Sequence, residues 1–290
     1  MLKKILSWTL LAPLCLIFVI FLIFFVANLG DQEIRPEVSQ HLQWQSEVAW
    51  QESNAFVMLS GLDARSGEDA YALGAERNNH ELKRYQQSKQ QDAGATSSPL
   101  INEDEAHLEP TKGDRCDYSH EKNCVQFYLS RDRASEMQMF AQNRVLIERF
   151  NVIKNSTRYI EVTPPMLDVY LPPYSYLVQA FELQRMKSLR KVADGDCGGG
   201  LRDFLDNANF VYRLYMQART VLSANVYLAS IERDIRILNE LIENNTDCLQ
   251  YASDFDLYLS GLNRLELSMA AALEHERELN LQMVKSLFDQ

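Results

Sequence analysis

The chain has 290 residues, with 40 acidic against 29 basic side chains and a formal net charge of -11 at neutral pH. That length supports a core able to fold without a metal or other cofactor, and none is expected. The acidic excess excludes nucleic acid as a natural partner and opposes adsorption to anionic lipid.

The first element reads as a membrane anchor. Lys3 and Lys4 are the only charges before Asp31, and the 26 residues from Ile5 to Gly30 carry none. A helix of that length, rising about 1.5 Å per residue, spans a hydrocarbon layer of roughly 30 Å. Basic residues precede it and acidic ones follow, which places the N-terminus in the cytoplasm and the remaining chain on the oxidising side. A cleaved signal peptide is the competing reading. Against it, the apolar run is too long, and neither Phe25-Val26-Ala27 nor Asn28-Leu29-Gly30 has small residues at both required positions. Cys15 falls mid-span and reads as a small apolar residue.

After the anchor (residues 1–30), residues 31–77 read as a stalk helix followed by a glycine-bounded loop. Pro36 can open the helix, and Val38, Leu42, Ala49, Phe56 and Leu59 recur at heptad-like spacing up to a stop near Gly61. Residues 61–74 hold three glycines among Asp and Ser residues, the composition of a structured loop. Residues 78–115 are polar and almost free of aromatics, so a mobile excursion or at most a short helix is expected there.

Residues 116–290 read as a disulfide-stabilised helical domain. Met137, Phe140, Ile147, Phe150 and Ile153 keep a helical period that the prolines at 164–165 and 172–173 stop. The next helix runs from about Tyr174 to Val192 and ends at Gly195. From Leu201 two seams overlap. Leu201, Leu205, Ala208, Tyr212, Tyr215, Leu222, Val226 and Ala229 form one, and Val221, Ala224, Leu228, Ile231, Ile235, Leu238 and Ile242 the other, about 100° round the helix. The buried face therefore changes within 221–229: either one long helix changes partners, or it breaks near Asn225 into a hairpin. A Cys197–Cys248 bridge would demand the hairpin, because an unbroken helix holds those residues on the order of 70 Å apart. A last seam carries Tyr258, Leu262, Leu265, Met269, Ala272, Leu279 and Met283.

Several groups of residues are candidates for chemistry. Cys116, Cys124, Cys197 and Cys248 form an even set in an oxidising place, the pattern of two disulfides with three possible connectivities. His120 between the first two makes a metal site conceivable, but a fourth ligand is lacking. Cys197, followed by three glycines at the start of a helix, has the setting of a nucleophile, opposed by the flanking aspartates. Glu68 and Asp69 are candidates for an acid and base pair, with turn capping as the simpler account. His275-Glu276 begins like a zinc-protease helix, but Leu279 stands where the second histidine is required. Tyr159, Tyr170, Tyr174 and Tyr176, in a proline-rigidified stretch, suit a docking surface or half-buried packing.

The stretch from Trp50 to Gly74 (WQESNAFVMLSGLDARSGEDAYALG) and the CDYSHEKNC pair resemble a family of uncharacterised single-pass envelope proteins of Gram-negative bacteria. The resemblance covers about a tenth of the chain; it implies a membrane-anchored location and no particular activity.

Together these readings predict a mostly α protein: one N-terminal transmembrane helix, then an extracytoplasmic bundle of long helices. They place it in the inner membrane as a single-pass protein with a periplasmic C-terminal domain. The expected function is a non-enzymatic interaction or assembly factor that docks an envelope protein or self-associates. The alternative is an envelope hydrolase acting on cell-wall or lipid material through carboxylates of the 61–74 loop.

Overall fold

The computed structural model describes residues 54–90, 107–109, 116, 123–164, 166, 169–244, 248, 272–273 and 276–277. All belong to one unit, Gln45–Gln290. The expected anchor, the stalk before residue 54, His120 and most of the last seam lie outside them. Among the described residues the fold is all α, eight helices with no strand, and no helix is long and apolar enough to cross a membrane.

Helix α1, Ala55–Ser60, is buried on nearly every side, as a short helix apolar in all but its last residue must be. Asn54 caps its start in an extended conformation and pairs with Arg158 in an isolated parallel bridge, so no unbroken stalk helix runs through to Gly61. The stop at Gly61 is as expected.

Helix α2, Ala70–Gln90, occupies residues expected to be loop and mobile polar chain. Asp69 caps it, accepting from the backbone of Tyr71 and Ala72. The two outer glycines of the expected loop permit a backbone-to-backbone crossing of α1 and α2: a Cβ at Gly61 would lie 1.9 Å from the Ala70 carbonyl, and one at Gly74 1.8 Å from that of Val57. Polarity does not free α2 from the core, because most of its buried polar groups are paired. Arg77 binds Asp63, Arg84 binds Glu81, and Asn78 receives the Ser60 hydroxyl.

Helix α3, Cys124–Leu129, follows the Cys116–Cys124 disulfide and is capped by Asn123. The period from Met137 to Ile153 is shared by two helices, α4 (Arg133–Gln142) and α5 (Arg144–Asn155), because the Asn143 side chain turns back to the Met139 carbonyl and separates them. Met137 is 67% exposed, whereas Leu146, Phe150 and Ile153 are buried. Helix α6, Tyr174–Ala193, starts after Pro172-Pro173 and ends through Gly195, whose positive φ of 94° suits glycine.

Helices α7 (Cys197–Met216) and α8 (Val221–Asn244) form the hairpin, closed by the Cys197–Cys248 disulfide. The chain turns at 217–220, earlier than Asn225, which is an exposed residue within α8. The first seam ends with α7: Leu222 is 44% exposed, and the buried face of α8 is Ala224, Tyr227, Ile231, Leu238 and Leu241. Thr220 starts α8 by accepting from the Ser223 backbone.

One core joins these helices. Phe150 of α5 meets Phe181 of α6 and Phe210 of α7 edge-on, at 5.7 and 5.6 Å. Phe56 of α1 meets Tyr159 at 5.9 Å, so the helical domain includes residues upstream of 116. A buried ionic cluster joins α3, α6 and α8: Glu182 binds Arg185, Arg233 and the Tyr128 hydroxyl, and Arg185 also reaches Asp234 at 2.6 Å.

Candidate functional site

The loop between α1 and α2 is built from its backbone outward. The Arg149 guanidinium, on α5, donates to the carbonyls of Leu62, Ala64, Arg65 and Glu68, fixing the loop from beneath. Burial pulls the Arg149 pKa down from its ordinary value, opposed by the nearby charges of Asp63, Glu68 and Asp69. At the end of the loop, Arg77 grips both Asp63 carboxylate oxygens, at 2.5 and 3.3 Å, and donates to the Ser60 carbonyl at 2.8 Å. Tyr170 lies against this group, accepting from Arg77 at 2.8 Å and donating to Ser60 at 2.9 Å.

Above this floor is a cavity of about 340 Å³, lined by polar residues Asp63, Arg65, Glu68, Glu76, Arg77 and His107 and by Ala64, Ala72 and Leu73. The segment 107–109 closes one side. The Leu108 N–H donates to the Asp63 carbonyl at 2.8 Å, Tyr176 donates to the Leu108 carbonyl at 2.7 Å, and His107 Nδ1 lies 3.1 Å from Asp63 Oδ2. His107 is one-third exposed, and the carboxylate beside it is buried.

The structure separates the two adjacent carboxylates. Glu68 lines the cavity and accepts from the Arg65 N–H at 2.8 Å, while Asp69 is occupied in capping α2. They do not converge as an acid and base pair. Cys197 is bridged to Cys248, so its nucleophilic reading is overturned: a disulfide sulfur has no thiolate to offer. Cys116 is bridged to Cys124, which takes both away from a metal. Among the described residues no group of three or more His, Cys, Asp and Glu side chains is arranged to hold one.

The four tyrosines do not form a docking surface. Tyr159 and Tyr174 are 8% and 7% exposed, and the Tyr159 hydroxyl meets that of Tyr227 at 2.7 Å. Tyr170 and Tyr176 are half-buried and spend their hydroxyls on Ser60 and Leu108. The phenols of Tyr159, Tyr170 and Tyr176 satisfy polar atoms inside the fold, and burial pushes the Tyr159 and Tyr174 hydroxyls well above their ordinary pKa.

Asp63 is one of the carboxylates of the 61–74 loop, whereas Arg77, His107 and Arg149 are site residues that sequence patterns do not reveal, and His107 stands alone in a polar stretch. No protein-family model, curated protein or solved structure matches the chain.

Proposed function

We propose that this protein is tethered by its N-terminal apolar segment to the inner membrane and acts on the periplasmic side as an interaction or assembly factor. The observation that carries the reading is the pair of disulfides, Cys116–Cys124 and Cys197–Cys248, behind a stretch of 26 uncharged residues. The partner is an envelope protein or a second copy of the chain; the net charge of -11 disfavours nucleic acid.

Two experiments test it. Thiol alkylation in intact cells should leave all four cysteines unlabelled until a reductant is added, and crosslinking in intact membranes should trap one reproducible neighbour. Four free thiols, or a mature chain starting beyond Leu29 in a soluble fraction, would refute the tether and its topology.

A second reading, an envelope hydrolase acting on cell-wall or lipid material, is favoured by one observation: Asp63 and Glu68 line a single cavity with His107. Under this reading, alteration of the cavity abolishes function while the helical content and both disulfides persist.

A further inference from the structure

We propose that Asp63 and Tyr176 form a docking groove for an extended segment of a partner protein, and that residues 107–109 of this chain occupy it in cis. The partner segment carries histidine or another basic side chain directly before an aliphatic residue. The proposal rests on the interaction-factor reading and names the surface and the kind of partner for it.

The seated segment shows what the groove recognises. The Leu108 N–H donates to the Asp63 carbonyl at 2.8 Å, and the Leu108 carbonyl accepts from the Tyr176 hydroxyl at 2.7 Å. Both backbone polar groups of one residue are met. An extended ligand gains affinity from its main chain in this way, while its side chains supply specificity. Here the Leu108 side chain packs against the hydrophobic core, and His107 Nδ1 lies 3.1 Å from Asp63 Oδ2, within ion-pair reach.

The groove does not depend on its occupant. Arg149 holds the carbonyls of Leu62 and Ala64 on either side of Asp63. Arg77 grips the Asp63 carboxylate and the Ser60 carbonyl, and Tyr176 is built into the first turn of α6. None of these contacts passes through 107–109. A site preorganised in this way spends little on ordering when a ligand binds. The occupant itself is held shallowly: Leu108 is half-buried, His107 one-third exposed and Glu109 exposed. Its departure uncovers one carbonyl and one hydroxyl, both of which water can satisfy. Tyr176 supplies that single hydroxyl, not an aromatic face. A cis segment competes at an effective concentration on the order of millimolar, so a partner enters when it outbids that competitor.

The test uses the full-length protein in detergent, with a fluorescein-labelled peptide of residues 105–111 (EAHLEPT) as the probe and anisotropy as the readout. Wild-type protein, its groove filled, should bind the peptide weakly. Leu108→Asp in the protein should release the segment and tighten peptide binding by about tenfold or more. Adding Tyr176→Phe should weaken that binding again by about two- to tenfold. The unlabelled peptide should compete, and the same peptide carrying Leu108→Asp should not. Where Leu108→Asp costs the fold, His107→Ala, on a part-exposed side chain, should give a smaller gain of the same sign. Equal peptide affinity in wild type and in the folded variants overturns the groove. If the purified chain dimerises and Leu108→Asp dissolves the dimer, the occupant is a second copy and the partner assigned here falls. A reproducible crosslinked neighbour in intact membranes beside a failed peptide test overturns this groove and leaves the interaction-factor reading standing.

Discussion

The side-chain amide of Asn54 makes both hydrogen bonds of a peptide unit with Ile160: Nδ2 donates to the Ile160 carbonyl and Oδ1 accepts from its N–H, each at 2.9 Å. The same oxygen accepts from the Phe56 N–H at 3.2 Å, so one buried side chain caps α1 and pins the extended segment after α5. Asn54→Ala leaves those backbone groups without partners and should cost about 3 kcal/mol. Asn54→Asp supplies no donor to the Ile160 carbonyl and should be no better tolerated. Urea unfolding followed by far-ultraviolet circular dichroism reads the loss, and a change below about 0.5 kcal/mol would remove Asn54 from this role.

The glycines of the first loop should separate into two classes. Gly74→Ala drives a methyl into the Val57 carbonyl, backbone against backbone, and should destabilise by about 3 kcal/mol or more. Gly67 has a φ of 91° and open space around it, so Gly67→Ala meets only conformational strain, about 1 kcal/mol. Thermal unfolding of both variants checks the order. Equal losses would mean that the α1–α2 crossing is not set by these contacts.

The disulfides should differ in strength because they close loops of different length. Cys197–Cys248 spans 51 residues and Cys116–Cys124 spans 8. By chain entropy, the serine pair at 197 and 248 should lose about 4 kcal/mol and the pair at 116 and 124 about 2.5 kcal/mol. Urea midpoints of the two double variants decide the order, and the reverse order would contradict it.

Two buried carboxylates should give opposite pH signatures. Glu161 is 1% exposed, and burial pushes its carboxyl above the ordinary 4.5 although Arg219, Ser223, Thr220 and Thr163 donate to it. The folded state then binds that proton more readily than the unfolded chain, so its contribution is fully present below pH 4.5 and declines as pH rises through the folded value. Burial also pushes Glu182 up, but Arg185, Arg233 and Tyr128 outweigh it and hold the carboxyl below 4.5. Its contribution is present above that value and is lost as pH falls through the folded one. Glu161→Gln should therefore flatten the decline above pH 4.5. Glu182→Gln should flatten the acid limb and lower stability by about 3–5 kcal/mol, since buried arginines lose their partner. Urea midpoints between about pH 3 and 7 provide the comparison; a Glu161→Gln difference that is constant over this range would exclude titration of Glu161 as its source.

The residues that were legible beforehand are those whose signals are local. Gly195 stops α6, and the prolines before Tyr174 bound its start, because each restricts its own backbone. The overlapping seams around Val221 announced that the chain changes its buried face. The turn itself came at 217–220, where Thr220 finds Ser223 and Glu161 reaches in from a distant segment. Helix α2 was illegible for the opposite reason: Asn78, Glu81 and Arg84 read as part of a mobile polar run, yet all three are buried within the folded unit, where Asn78 accepts from Ser60 and Arg84 pairs with Glu81.

The sequence by itself determined an all-helical domain, its principal stops and an even set of cysteines outside the apolar segment, because periodicity, backbone restriction and residue chemistry act over a few neighbours. Only the tertiary structure decided which cysteines pair, that Tyr159 and Tyr174 are buried, and that His107 meets Asp63 beside a cavity. Those outcomes depend on polar groups being desolvated together, and burial of that kind exists only once distant segments have packed.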